Sequence, residues 1–163
     1  MNINKETNAV RFRSVQKEDL PCIADMMRDL YASLGAEETY MGPEKIAATF
    51  AYLFSPQNHL YLDVFEVQGK MAGYALNFDF WYNELGGKVL QVDELYVLPI
   101  FRGQGIASQY LETLSHRTDY VALTLEVLPS NTKAMEVYKR AGFEPKETRT
   151  LYKLCSGRSD LRC

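Results

Sequence analysis

Apolar and polar side chains alternate over residues 10–15, Val10-Arg11-Phe12-Arg13-Ser14-Val15. That is the period of a short, half-buried strand with Val10 and Phe12 on one face. The period then lengthens. Leu20, Ile23, Met27, Leu30, Tyr31 and Leu34 recur at helical spacing, the acids and proline of Glu18-Asp19-Leu20-Pro21 suit a helix start, and Gly35 suits the position after its end. A second helix begins near Pro43-Glu44, turns Ile46, Phe50, Leu53 and Phe54 inward, and stops at Ser55-Pro56-Gln57-Asn58. Residues 60–67 read as a strand, Gln68-Gly69-Lys70 as a tight turn, and 71–82 as a second strand rich in aromatics. Asn83-Glu84-Leu85-Gly86-Gly87 then returns the chain into a third strand over 88–98.

The second half of the chain changes pattern. Ile106, Tyr110, Leu111 and Leu114 mark an amphipathic helix over 103–117, and 120–127 is an almost continuous β-favouring run. A strand, a helix and another strand in that order make a βαβ unit, so strands 88–98 and 120–127 should lie parallel. A further helix spans 131–141, with Lys139 and Arg140 complementing its dipole and Gly142 as its exit. Residues 143–154 suit a last strand or hairpin arm, and the tail from Cys155 to Cys163 is short and polar. The order β-α-α-β-β-β-α-β-α-β predicts a single α+β domain over 1–163, with its core at about 10–154. Its mixed sheet combines an antiparallel meander with the βαβ unit, flanked by helices.

The stretch from Gln91 to Ala107 carries the candidate chemistry. Two adjacent acids, Asp93 and Glu94, interrupt an apolar strand, and Pro99 stops it because proline cannot donate to a ladder. Gly103 and Gly105 then open a helix, whose bare backbone amides and positive dipole end make a seat for phosphate groups. Arg102-Gly103-Gln104-Gly105-Ile106-Ala107 resembles the Arg/Gln-x-x-Gly-x-Gly/Ala signature of the GNAT superfamily of N-acetyltransferases, with alanine at 107 where many relatives have glycine. In that family this loop holds the pyrophosphate of acetyl-coenzyme A. The resemblance implies acetyl-CoA as cosubstrate, held by Leu95, Tyr96, Val97 and residues 102–107.

A second stretch supports the first. Asn131-x-x-Ala134-x-x-x-Tyr138-x-x-x-Gly142-Phe143 resembles the family's other recurrent segment, in which the asparagine contacts the coenzyme and the tyrosine hydroxyl lies by the thioester. Seven residues place Asn131 and Tyr138 about 10 Å apart along one helix face. The resemblance makes Tyr138 the donor to the leaving thiolate, and backbone amides near Tyr96 or Val97 the polarisers of the carbonyl. Asp93 and Glu94 are the candidates for the base, and strand alternation points them to opposite faces. A carboxylate near pKa 4 facing an ammonium near 10 is about six units, or on the order of 8 kcal/mol, short of direct proton abstraction. A water relay, or capture of the small neutral amine fraction, fits better. A neighbouring acid pair also resembles the polyamine branch of the family. Asp79, Trp81, Tyr82 and Glu84, with Glu37 and Glu38 and the aromatics Tyr74, Phe78 and Phe80, are the expected surroundings of a cationic small-molecule amine.

Net charge over the 163 residues is −3 with signs interspersed, which argues against the basic face that nucleic acid needs. No apolar run is long enough to span a bilayer and no signal-peptide core begins the chain, so the expectation is a cytoplasmic protein without membrane attachment. Three scattered cysteines and two histidines, His59 and His116, indicate neither a disulfide framework nor a metal site. Dimerisation is common in the family, and the aromatic strand offers a surface for a homodimer. Two alternatives stay open: a non-catalytic acyl-CoA-binding sensor, and a transferase acting on a peptide or protein amine. A nucleotide phosphate loop is disfavoured, because no Lys-Ser or Lys-Thr follows the glycines.

Overall fold

The computed structural model describes residues 9–37, 40–147, 150, 151 and 153. Five strands pair in chain order: β1 (Val10–Ser14), β2 (Leu60–Val67), β3 (Lys70–Tyr82), β4 (Gly87–Val97) and β5 (Ala122–Leu125). The first four are mutually antiparallel and β5 lies parallel to β4, as the βαβ pattern requires. Helices α1 (Leu20–Ser33) and α2 (Pro43–Leu53) join β1 to β2, α3 (Ile106–Ser115) makes the crossover, and α4 (Thr132–Arg140) follows β5.

Each sheet face has its own core. Ile23, Met26, Met27, Ile46 and Leu53 from α1 and α2 pack on Leu62, Val64, Tyr74, Leu76 and Tyr96. On the other face, Ile106, Tyr110, Leu111 and Leu114 of α3, joined by Val137 and Tyr138 of α4, cover Phe65, Ala75, Leu90 and Val92. Burying both faces is what lets a sheet with a parallel pair stand in water. A polar link crosses the second core: Asn77 donates to the Tyr110 hydroxyl at 2.7 Å, which donates to Asp63 at 2.7 Å. At the first edge, Arg13 reaches Asp19 at 2.7 and 2.9 Å and Glu66 at 2.7 Å, tying β1 to β2 and to the turn before α1.

Several boundaries differ from the sequence reading. Helix α3 starts at Ile106 because Gly103 and Gly105 both take positive φ, and β5 is four residues long. Phe54 is the C-cap of α2 and exposed, not inward, because the helix ends before its side chain can turn to the sheet. Residues 143–147, 150, 151 and 153 form no strand. Tyr152, Leu154 and the tail to Cys163 lie outside the described residues, as does Glu38.

Two features of β4 shape the site. Pairing with β5 stops at Val92 opposite Leu125, so residues 93–97 run on beyond it without a strand partner on that side among the described residues. The register with β3 also shifts there: Asn77 faces Val92 and Leu76 faces Glu94, which leaves Asp93 as the extra residue of a β-bulge.

Candidate active site

The bulge corrects the expectation that Asp93 and Glu94 point apart. Leu90 and Val92 pack with α3, and so do Leu95 and Val97. An unbroken strand cannot do both, because alternation puts 92 and 95 on opposite faces. The extra residue resets the phase, and the two acids between fall together on the α1/α2 side, where both line one cleft.

That cleft has a volume of about 1060 Å³. Its walls are the end of α1 with the segment after it, the start of α2, the bulge, and the chain following β5. Its ionisable lining is acidic: Glu37, Glu44, Asp93, Glu94 and Glu126, against one lysine, Lys45. Lys45 Nζ is already engaged, donating to the Tyr40 carbonyl at 2.6 Å and lying 4.5 Å from the Tyr40 ring centre. Glu94 is 5% exposed, and its two oxygens accept from Tyr31 at 2.9 Å and from Tyr74 at 2.7 Å. Burial raises its carboxyl above the ordinary range; the two phenols oppose that rise and Asp93 adds to it. Asp93 keeps an open edge at the rim, yet crowding around its carboxyl raises it, and Glu126 raises it further.

A second cleft of about 740 Å³ opens on the other side of Tyr138. Arg102, Lys133 and Arg140 line it together with Gly103, Gly105, Ile106, Ala107 and Ser108, and among the described residues no carboxylate lines it. Gly103 (φ 77°) and Gly105 (φ 75°) adopt a backbone conformation that L side chains rarely take. A Cβ at Gly103 would meet nothing within 4 Å, so the loop surface is open. Gly105 caps α3 without a side chain, leaving the first-turn amides to face the cleft. Bare amides, a helix dipole and three cations fit an anionic group such as a pyrophosphate. Gln104 is exposed beside this lobe and does not line it. Arg102 Nε donates to the Val97 carbonyl at 2.8 Å, and its guanidinium lies 5.5 Å from the Tyr96 ring centre.

Leu30, Leu34, Leu95, Leu128, Asn131 and Tyr138 line both clefts, so the acidic and basic lobes meet there. Asn131 caps α4, accepting from the Ala134 amide at 3.2 Å. Tyr138 rests edge-on to Phe143 at 6.1 Å, and burial pushes its phenol up, so it stays protonated and can donate.

Asp79, Trp81, Tyr82 and Glu84, expected around the acceptor, line neither cleft, and neither do the aromatics Tyr74, Phe78 and Phe80. Asp79 lies on the opposite sheet face from Glu94. There it accepts from Lys88 at 3.0 Å and Tyr61 at 3.1 Å, and His59 Nδ1 lies 3.1 Å away. Trp81 is 65% exposed at the far end of β3, Tyr82 meets Lys146, and Glu84 sits in the turn before β4. Strand β3 is long, and composition alone could not tell which of its ends reaches the cleft. Conversely, Tyr31, Glu126, Lys133 and Arg140 were not among the expected site residues, and Tyr74 was expected to face the acceptor rather than to donate to Glu94. Tyr31 reads as an ordinary core aromatic; Glu126, an acid inside an apolar strand pattern, was the available signal.

The mixed sheet splays beside a glycine-opened helix, and a basic and an acidic lobe meet at Tyr138. A sequence profile of the Acetyltransferase (GNAT) family matches residues 23–143, and the chain belongs to that family. It is 29% identical over 143 residues to an uncharacterised N-acetyltransferase of Methanocaldococcus jannaschii, a match covering 83% of this chain and 61% of the relative. It is 36% identical over 85 residues to the thialysine N-epsilon-acetyltransferase of Sus scrofa, covering 47% of each. The chain thus spans between about half and three-fifths of the curated relatives it matches. A possible acetyltransferase from Clostridium difficile 630 superposes with a TM-score of 0.76 at 20% identity, over 90% of this chain and 98% of that one, which establishes the shared fold.

Proposed function

We propose that the protein is an enzyme, an N-acetyltransferase that moves an acetyl group from acetyl-CoA to a primary amine of a small polycationic molecule, by direct attack within a ternary complex. One observation carries the reading: a lobe lined by three cations meets a carboxylate-rich lobe at Tyr138. An anionic coenzyme and a cationic acceptor suit opposite lobes, and their reacting ends meet at the junction. Membership of the GNAT family and the likeness to a thialysine N-epsilon-acetyltransferase support the same choice.

The coenzyme, when bound, supplies the thioester. Arg102, Gly103 and residues 105–107 with Lys133 and Arg140 would hold its phosphates, and Asn131 and the edge of Leu95, Tyr96 and Val97 beyond the β5 pairing would face its arm. The ammonium must lose a proton before nitrogen can attack. Burial raises Asp93 and Glu94, which narrows their gap to the amine. Nitrogen then bonds the carbonyl carbon, the carbon–sulfur bond breaks, and the thiolate takes a proton from Tyr138. Tyr138 regains it from the second proton that the nitrogen sheds, and the first passes from the carboxylate to water.

The test is thiol release from acetyl-CoA across polyamines, diamines, aminoglycosides, amino acids and short peptides. Release well above hydrolysis with the multiply charged small amines is the expected result. Release only with peptides would move the acceptor to a protein amine. Silence throughout, with coenzyme binding confirmed in the same samples, would favour a non-catalytic sensor.

A further inference from the structure

We propose that Tyr31 and Tyr74 are positioning residues that clamp Glu94, one phenol to each carboxylate oxygen, and so make Glu94 rather than Asp93 the group that receives the acceptor's proton. This rests on the transferase reading above.

The two acids share a cleft wall but differ in how they are held. Glu94 is 5% exposed, with Tyr31 of α1 on Oε1 at 2.9 Å and Tyr74 of β3 on Oε2 at 2.7 Å. Donors on both oxygens hold the carboxyl plane between the helix and the sheet, and each oxygen keeps a second lone pair. No side-chain donor is recorded for Asp93 among the described residues, and Glu126 raises its carboxyl further. A base acts best from a fixed position within reach of the proton, directly or through one water. Both phenols are pushed well above the usual tyrosine value, by burial first and then by the Glu94 charge, so they donate and do not titrate. Tyr31 also lines the cleft, and its ring lies 5.4 Å from that of Tyr40, so the wall near Glu94 is aromatic.

The ionisable groups around Glu94 set the sign of each substitution. Tyr31 faces it from α1, Tyr74 from β3 and Asp93 from its own strand. Farther along the cleft lie Glu37 and Tyr40 before α2, Glu44 and Lys45 in α2, Glu126 after β5, and Tyr138 in α4. Removing a phenol that stabilises the carboxylate raises its pKa, and removing the Asp93 charge lowers it. In the step itself, one N–H bond of the ammonium breaks and a carboxyl O–H forms on Glu94 through a water, leaving a neutral amine with a free lone pair.

The experiment follows Glu94 in two ways on the full chain. Its side-chain carboxyl carbon is titrated by NMR, with the resonance assigned from Glu94→Gln, and the acid limb of kcat/KM is measured in parallel. With Tyr31→Phe both should move to higher pH, with kcat/KM at acidic pH down about tenfold for one lost charge-assisted hydrogen bond, and coenzyme affinity unchanged. With Asp93→Asn both should move to lower pH. A Glu94 resonance that does not respond to Tyr31→Phe overturns the clamp. A resonance that moves while the acid limb stays, or a limb that survives Glu94→Gln and vanishes in Asp93→Asn, overturns the choice of acid. No turnover with any amine, while the resonance still responds, leaves the clamp supported and overturns the transferase reading instead.

Discussion

Tyr138 borders both lobes, and burial alone pushes its phenol up. It therefore holds its proton more tightly than an ordinary tyrosine, and in the proposed reaction it donates to the thiolate as that forms. Tyr138→Phe keeps the ring, and with it the contact to Phe143, while removing that donor. We expect turnover to fall by about 100-fold or more and coenzyme affinity to stay within about twofold, checked by steady-state kinetics and calorimetry. Unchanged turnover would remove Tyr138 from the mechanism. At this scale the sequence was informative where a residue sits in a motif, as Tyr138, Asn131 and Gly105 do. It expected Tyr74 near the acceptor and was silent on Tyr31, and the meeting of both phenols at Glu94 arises only because helix α1 and strand β3 come within hydrogen-bond reach of it.

Two elements of the sheet can be tested directly. The loop before α3 needs the left-handed conformation at Gly105, where a Cβ would point to space bounded only by Gln109 Nε2 at 3.8 Å. Gly105→Trp should give a folded protein, by circular dichroism, that has lost coenzyme binding, because the indole enters the basic lobe. Retained affinity would undo the assignment of that lobe. Gly73 serves a different purpose. It faces Val97 across the β3–β4 ladder, and an added Cβ would lie 2.1 Å from the Tyr96 carbonyl oxygen, which is backbone and cannot turn aside. Gly73→Ala should cost about 1–3 kcal/mol in urea unfolding and disturb the splayed end of β4. Stability equal to the parent would mean that the two strands can separate at no cost.

Across the whole molecule the acids shifted from their ordinary values include two groups with opposite effects on stability. Burial leads the rise of Asp63, Asp93 and Glu94 above their ordinary values. Their folded forms bind protons more readily than the unfolded chain, so stability increases as pH falls from neutral through their folded pKa values. Asp19 and Asp79 are held below the ordinary 3.8. For Asp19 the hydrogen bond from Arg13 leads; for Asp79 the bonds from Lys88, His59 and Tyr61 outweigh burial. The stability these two contribute is present above 3.8 and is lost as pH falls through their folded values. We expect urea midpoints measured from pH 3 to pH 9 to peak on the mildly acidic side, with Asp19→Asn lowering the plateau but not the slope above the peak. A midpoint that rises steadily to pH 9 would contradict this assignment.

Local rules carried the sequence reading a long way. Period-two and helical patterns located the strands and helices, proline and glycine set their limits, and the order of elements decided which strands lie parallel. The glycine loop and the Asn131–Tyr138 spacing pointed to residues that line the candidate clefts, because both depend on neighbours along the chain. What only the tertiary structure decided was phase and distance. One extra residue at Asp93 turns two alternating acids to the same side, and the end of pairing at Val92 opens the edge beside them. The length of β3 leaves Asp79, Trp81, Tyr82 and Glu84 outside both clefts. A bulge depends on the register between two strands, which neither strand's own pattern contains.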